Sequence, residues 1–473
     1  MRSHCIGKLF QRSFAYTYRL GKADAIPPPS VWPYIRSLTL YEQLKNPLLS
    51  PVLYIPSKGH EDVLFHAMNS MPQLRRVVVN ETHGVPWPIL AVLISVSHLR
   101  EFELRGQLFN SRERSPRNPT SGSAPLASFR YIPDLLRPPP RSCPSEKRVL
   151  AIVLERLCTS LENVVLPSES APFRAMNQWD WSRLRQLSIE GDARRAFRTR
   201  EPLISVLSNM RGLRTLALKL AYSPEQRLQA IWPQDFEEGS LPWPDLESLT
   251  ITWAYPQDRL FDHLPASLRH LSLRCWPRLH AYYIQHRKSV RNDVPWPERA
   301  LPWRDLLDVL RRCRGAALER LELEYEVDTR DSDLELLQFI PHAFPCLRTL
   351  QIHRYRCYGN TSSVPLEAII DALRPLAHLN VLRLFLDFEL LAHWQRDRLY
   401  VSDEEIWEPV DATIEIVIRK AGPSLRYLCL LPSVTKPVRW DVYRLERSAN
   451  GGVHAHLEDS LDTVGGYSNN SDD

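Results

Sequence analysis

The hexapeptide LERLEL at 318–323, echoed by LRTLQI at 347–352, decides how this chain folds. Its x-L-x-L portion alternates, so Leu321 and Leu323 point to one face of a short strand and Glu322 to the other. Leu318, three residues before the first strand leucine, packs the turn leading into the strand. The same phrase recurs as IRSLTL (35–40), LRRVVV (74–79), LREFEL (99–104), LENVVL (161–166), LRQLSI (184–189) and LRTLAL (213–218). It continues as LESLTI (246–251), LRHLSL (268–273), LNVLRL (379–384) and LRYLCL (425–430), twelve copies in all. A degenerate thirteenth, LASFRY, lies at 126–131. Successive copies begin 22 to 62 residues apart, and counting the thirteenth divides the longest interval into 27 and 35. That spacing suits one strand-plus-helix unit per copy, with insertions in the longer gaps.

Helix-like segments fall between the phrases: 146–158, 303–313, 333–344, 366–377 and 411–421. Each spaces its apolar residues by three and four. In the second, Leu306, Leu307 and Leu310 form the stripe, with Asp305, Asp308, Arg311 and Arg312 in solvent. One such unit cannot bury itself, so neighbours stack. The expectation is an α/β solenoid, a curved parallel strand stack with helices outside. Trp-Pro pairs at Trp32-Pro33 and Trp243-Pro244 end the preceding turn before a strand, since proline drives the residue before it out of the helical region. The tryptophans read as packing aromatics.

Composition narrows the function. Among 473 residues, Gly is only 16 while Pro is 39, which disfavours phosphate-cradling loops and favours frequent stiff punctuation. Net charge is +5, too little to predict nucleic-acid binding. No Gly-rich phosphate loop, G-x-S-x-G elbow or H-E-x-x-H occurs. His60-Glu61 with His66 has the wrong spacing for helical zinc ligation, and His454 and His456 lie in a tail without further ligands. No enzyme activity, cofactor or metal is expected. The eight cysteines form no C-x-x-C pair and read as reduced thiols of a cytoplasmic or nuclear protein, with no membrane span. The acid-free start carrying Arg2, Lys8, Arg12 and Arg19 reads as a basic segment packing on the domain, or as a presequence.

The phrase and its spacing resemble leucine-rich repeats, specifically the irregular variety of fungal F-box proteins, over roughly residues 31–432. The usual continuation L-x-x-N/C-x-L is missing, although Cys275 comes near. The fragment KLFQRSFAYTYRL at 8–20 resembles sequence that follows an F-box, yet no L-P-x-E/D-[LI]-like opening precedes it. Either that module is absent or the chain is a truncated reading of a longer product. The resemblance implies a substrate-recognition array that presents a protein target to a cullin-type ubiquitin ligase, with ligase adaptor and cullin as further partners if an F-box exists. The alternative is a standalone repeat scaffold unconnected with ubiquitin.

Three regions complete the expected organisation: a basic segment at 1–30, the repeat domain at 31–432, and an extension at 433–473 that is disordered from about 448. Within the domain, 106–145 is rich in Pro, Ser and Arg and reads as a flexible loop, open to phosphorylation near Ser115-Pro116. A second insertion covers 276–300. Strand positions opposite the leucines would line the concave face: Glu101, Glu103 and Arg105, then His270, Ser272, Arg274 and Trp276, Arg320, Glu322, Glu324 and Glu326, and Thr349, Gln351, His353 and Tyr355. Of these, His270, Arg274, Trp276, Glu322, Glu324, His353 and Tyr355 combine the types favoured at binding hot spots and are the candidate protein-binding residues. Replacing Arg274 or Glu324 should then leave folding nearly unchanged. The competing arrangement is an inter-strand ladder with Arg274 opposite Glu322 or Glu324.

Overall fold

The structure is a computed structural model, which describes residues 14–19, 29–41, 60–85, 87–108, 125–132, 144–196, 201–222, 228–236, 239–275, 300–313, 317–328, 332–357, 363–386, 403–431, 440–448, 450 and 452–458. It divides into two compact units, residues 1–215 and 216–473.

In the first unit seven strands pair in chain order and all in parallel. They are β1 (Phe14–Arg19), β2 (Ile35–Tyr41), β3 (Arg76–Val85), β4 (Glu101–Leu108), β5 (Ser128–Ile132), β6 (Asn163–Pro167) and β7 (Gln186–Asp192). Helices α1 (His60–Asn69), α2 (Trp87–Leu93) and α3 (Pro144–Leu157) lie between strands, joined by the single turns α4 (Phe173–Met176), α5 (Ala193–Ala196) and α6 (Leu203–Val206). The register keeps every phrase level with the next: Val77, Phe102, Phe129, Val164 and Leu187 stand side by side and are buried.

The second unit repeats the plan. From β8 (Thr215–Ala221) at the boundary, the chain passes through β9 (Ser248–Ile251), a 3-10 turn at Arg259–Asp262, β10 (His270–Leu273), and β11 (Leu301–Pro302). It then alternates α7 (Trp303–Arg312), β12 (Arg320–Val327), α8 (Leu334–Ala343), β13 (Thr349–Arg356), α9 (Leu366–Leu373), β14 (Val381–Leu386), α10 (Asp403–Lys420) and β15 (Tyr427–Leu430). Parallel pairing aligns Leu271, Leu321, Leu350, Leu382 and Leu428 across β10, β12, β13, β14 and β15, and all five are buried. On α7 the expected stripe Leu306, Leu307 and Leu310 is buried, widened by Trp303 and Val309.

All thirteen phrases become strands, each starting two residues after the leading position except IRSLTL, where Ile35 itself begins β2. The leading leucine is held by a turn: Leu74 N donates to Met71 O at 2.9 Å, Leu99 N to Val96 O at 3.1 Å, and Leu213 N to Met210 O at 3.1 Å. Trp181, Trp243 and Phe344 occupy the same place before Leu184, Leu246 and Leu347, and all three are buried. The repeat therefore carries a further apolar position three residues upstream, one that varies too freely among Met, Val, Trp and Phe to stand out in sequence.

The residue after the leading leucine does two jobs. Its carbonyl accepts two N–H groups from the next copy: Arg75 O from Arg100 N and Glu101 N, and Arg269 O from Glu319 N and Arg320 N. In several copies it is an arginine whose side chain also reaches the next copy's backbone, from Arg75 to His98 O (2.9 Å), Arg100 to Pro125 O (2.9 Å), Arg185 to Gly212 O (3.0 Å) and Arg269 to Ala317 O (3.3 Å). Successive copies are thus stitched at the turn as well as along the strands.

Two expectations need correction. Part of 106–145 is ordered: β5 contains the degenerate LASFRY copy and pairs with both β4 and β6, because Phe129 and Tyr131 supply the buried alternation that leucines supply elsewhere. The tail is not disordered throughout from 448. Strands β16 (Asp441–Arg447) and β17 (Val453–Glu458) form an antiparallel pair against β15, with Val442 and Cys429 packed together and Val381, Tyr427 and Trp440 against them. Alternation in DVYRLER and VHAHLE outweighs the Gly, Ser and Asn content of the surrounding tail. In the basic N-terminal segment β1 pairs with the first phrase, from Ala15 opposite Ser37 to Arg19 opposite Tyr41. Ser115-Pro116 and residues 276–299 lie outside the described residues.

Candidate interaction faces

In the second unit the positions opposite the leucines form a buried polar layer. Ser272, Glu322, Gln351 and Arg383 stand level across β10, β12, β13 and β14, as do Glu324, His353 and Phe385 across β12 to β14. Glu322 is 1% exposed and Glu324 and His353 are 0% exposed. Burial of a carboxylate is costly unless it is paired, and both glutamates are. Glu322 meets Arg274 at 2.9 Å, His270 at 3.4 Å and Arg320, and it accepts a hydrogen bond from Ser272 Oγ at 2.9 Å. Burial alone would push its carboxyl up, yet Arg274, His270 and Arg320 hold it well below the usual carboxylate range. Glu324 accepts from the backbone N–H of Cys275 at 2.9 Å and from Tyr355 Oη at 3.0 Å. His353 stacks on Phe385 (centroids 5.7 Å), meets Trp440 edge-on (5.6 Å), and has Nε2 2.7 Å from Gln351 Nε2.

The sequence-predicted residues are thus brought together, but inside the protein. The pairing of Arg274 with Glu322 is the inter-strand ladder weighed as the competing arrangement. Glu322, Glu324, His353 and Tyr355 are buried and offer little surface to a partner, and the two glutamates are satisfied from neighbouring strands. His270 and Arg274 are half-buried at the rim, and Trp276 lies outside the described residues. What alternation could not reveal is that long polar side chains on neighbouring strands satisfy one another well enough to be enclosed.

The first unit differs. There the same sheet face carries Arg76 on β3, Glu101, Glu103 and Arg105 on β4, and Arg130 on β5, and it is open. Glu103 is at the centre, 3% exposed, with Arg105 Nε at 2.6 Å, Arg76 Nη2 at 3.0 Å and Arg130 Nη1 at 3.6 Å. The three arginine side chains are 51%, 44% and 29% exposed. Burial again pushes the Glu103 carboxyl up, and the surrounding arginines bring it below its ordinary value. Glu101 approaches Arg76 at 3.8 Å from the open side. Sequence reading placed Glu101, Glu103 and Arg105 on this face but not Arg76 or Arg130, since LRRVVV and LASFRY depart furthest from the leucine pattern.

Other buried polar groups are internal fastenings. Asp333 takes Arg354 (2.8 and 3.2 Å) and Tyr325 Oη (2.8 Å). Glu146 accepts from Tyr131 Oη and Ser170 Oγ. Asp258 accepts the backbone N–H groups of Ile231, Trp232 and Leu260 at 2.6, 3.0 and 3.0 Å. Burial of the Cys275 and Cys313 thiols pushes both well above the ordinary cysteine range, which leaves them unreactive. Among the described residues no group of His, Cys, Asp and Glu is arranged to hold a metal ion, and no helix is long and apolar enough to cross a membrane.

No family model and no curated protein matches the chain. Among solved structures it is similar to an internalin from Listeria monocytogenes, at 12% identity and a TM-score of 0.28, over 75% of this chain and 74% of that one. The strand registers and turn ladders, rather than so loose a likeness, define the repeat architecture of this chain.

Proposed function

We propose that the protein is a non-catalytic interaction scaffold whose stacked strand–helix units hold a polar sheet face in fixed register for a protein partner. The observation that carries this reading is the open face of the first unit, where three half-exposed arginines on consecutive strands are oriented by one enclosed glutamate. Side chains held in place before binding lose less entropy when a partner arrives. The buried layer of the second unit supports the same reading by giving Glu322 and Glu324 a structural role. The narrower possibility, a substrate receptor of a cullin-type ligase, rests on the sequence resemblance alone.

The test is purification of the tagged full-length chain from its native cells after mild crosslinking, with copurifying proteins quantified by mass spectrometry. Stoichiometric protein partners are the expected result. A chain recovered alone, at native concentration, overturns the scaffold reading. Recovery of a ligase adaptor with a cullin would promote the narrower one.

A further inference from the structure

We infer that the face built by Arg76, Arg105 and Arg130 binds an acidic polypeptide segment; this rests on the scaffold reading and names its partner chemistry. Around Glu103 three arginines meet two carboxylates, Glu101 and Glu103, a local excess of one positive charge, with Glu190 two strands away from Arg130 on β7. A guanidinium has five N–H donors, and these pairs use few of them. Arg105 engages Glu103 through Nε, which leaves its two terminal nitrogens at the half-exposed end of the side chain. Arg130 Nε is enclosed and makes no hydrogen bond. Glu103 fixes the direction of all three side chains, so the fork geometry that suits carboxylates is present before a partner arrives.

The surroundings favour a polypeptide over a nucleic acid. The positions nearest Glu103 and Arg130 on the face are Val78, Ser128, Asn163 and Val165, none of them aromatic, and Tyr41, level with Arg105 across Asn80, is a single ring rather than the row of stacking platforms a nucleic-acid strand uses. Glu101 and Glu190 stand on the same face and would repel a continuous polyphosphate. A segment with spaced carboxylates can place them on the arginines and set serine or amide groups beside Glu101.

The experiment measures binding of a fluorescent peptide of alternating Glu and Ser to the full-length chain, beside its Gln–Ser counterpart and a single-stranded RNA. The Glu peptide should bind, and raising salt from about 50 to about 300 mM should weaken it. Each of Arg76→Gln and Arg105→Gln should weaken it by about fivefold, the scale of one exposed charge pair. Glu101→Gln, which removes a repelling carboxylate at an exposed position, should tighten it by a similar factor. Equal binding of the Glu and Gln peptides, preferential binding of RNA, or indifference to both the arginine variants and Glu101→Gln overturns the inference. Cellular partners retained undiminished by Arg76→Gln/Arg105→Gln would overturn this inference while leaving the scaffold standing. Absence of partners from the wild-type chain would remove the scaffold itself.

Discussion

Glu322 and Asp258 are both enclosed carboxylates, yet they respond to pH in opposite senses. Glu322 is held well below the usual range by Arg274, His270 and Arg320, so the folded state releases its proton more readily than the unfolded chain. Its contribution is complete above about pH 4.5 and is lost as pH falls towards the folded-state value. Glu322→Gln should cost about 3–5 kcal/mol at neutral pH, because Arg274, Arg320 and His270 lose their common anionic acceptor. Urea unfolding at pH 7 and pH 3.5 checks this: the variant's deficit should shrink in acid. For Asp258, burial pushes the carboxyl up to about 6 against the pull of its three N–H donors and Arg312. The folded protein then keeps a proton that the unfolded chain has released. Stability falls as pH rises from about 4 to about 6 and levels off above, by about 3 kcal/mol for a two-unit shift. Asp258→Asn should flatten the unfolding midpoint over that interval, and an unchanged slope would contradict it.

At the scale of the element, Glu324 shows where sequence reading stops. Alternation puts it opposite Leu321 and Leu323, and so predicts a replaceable surface residue. In the structure it is enclosed and receives Cys275 N–H and Tyr355 Oη, so both donors would be stranded by its loss. Glu324→Ala should therefore destabilise by about 1–3 kcal/mol per stranded donor, within reach of the about 2–5 kcal/mol expected for Leu321→Ala. Thermal denaturation of the pair tests this, and a Glu324→Ala melting point equal to wild type would restore the surface reading. The strands themselves were legible because each needs only two or three apolar residues at a spacing of two. The enclosed face was not, because it depends on which side chain of one repeat meets which of the next, tens of residues away. Likewise β16 and β17 were hidden by the composition around them, and β5 by aromatic residues standing where leucines were sought.

Across the whole molecule, parallel strands contact their immediate neighbours, so damage should spread by adjacency. Leu321→Asp buries an unpaired charge between Leu271 and Leu350. Hydrogen exchange should accelerate first in β10, β12 and β13 while β3, β4 and β5 keep their protection. Uniform acceleration along the chain would show a single cooperative unit instead. The same adjacency explains why long insertions coexist with a regular sheet: the phrase holds the register, and the segments between phrases vary in length.

The arginine that reaches from one turn to the next grips a main-chain carbonyl, a group every residue possesses. Arg75, Arg100, Arg185 and Arg269 accordingly find His, Pro, Gly and Ala as their respective targets without any change of hand-hold. A joint of this kind does not inspect what it joins. Copies can be duplicated, lost or shuffled during descent, and each new seam closes with the old chemistry, so the lineage can alter its reach and its surface while inheriting its masonry intact.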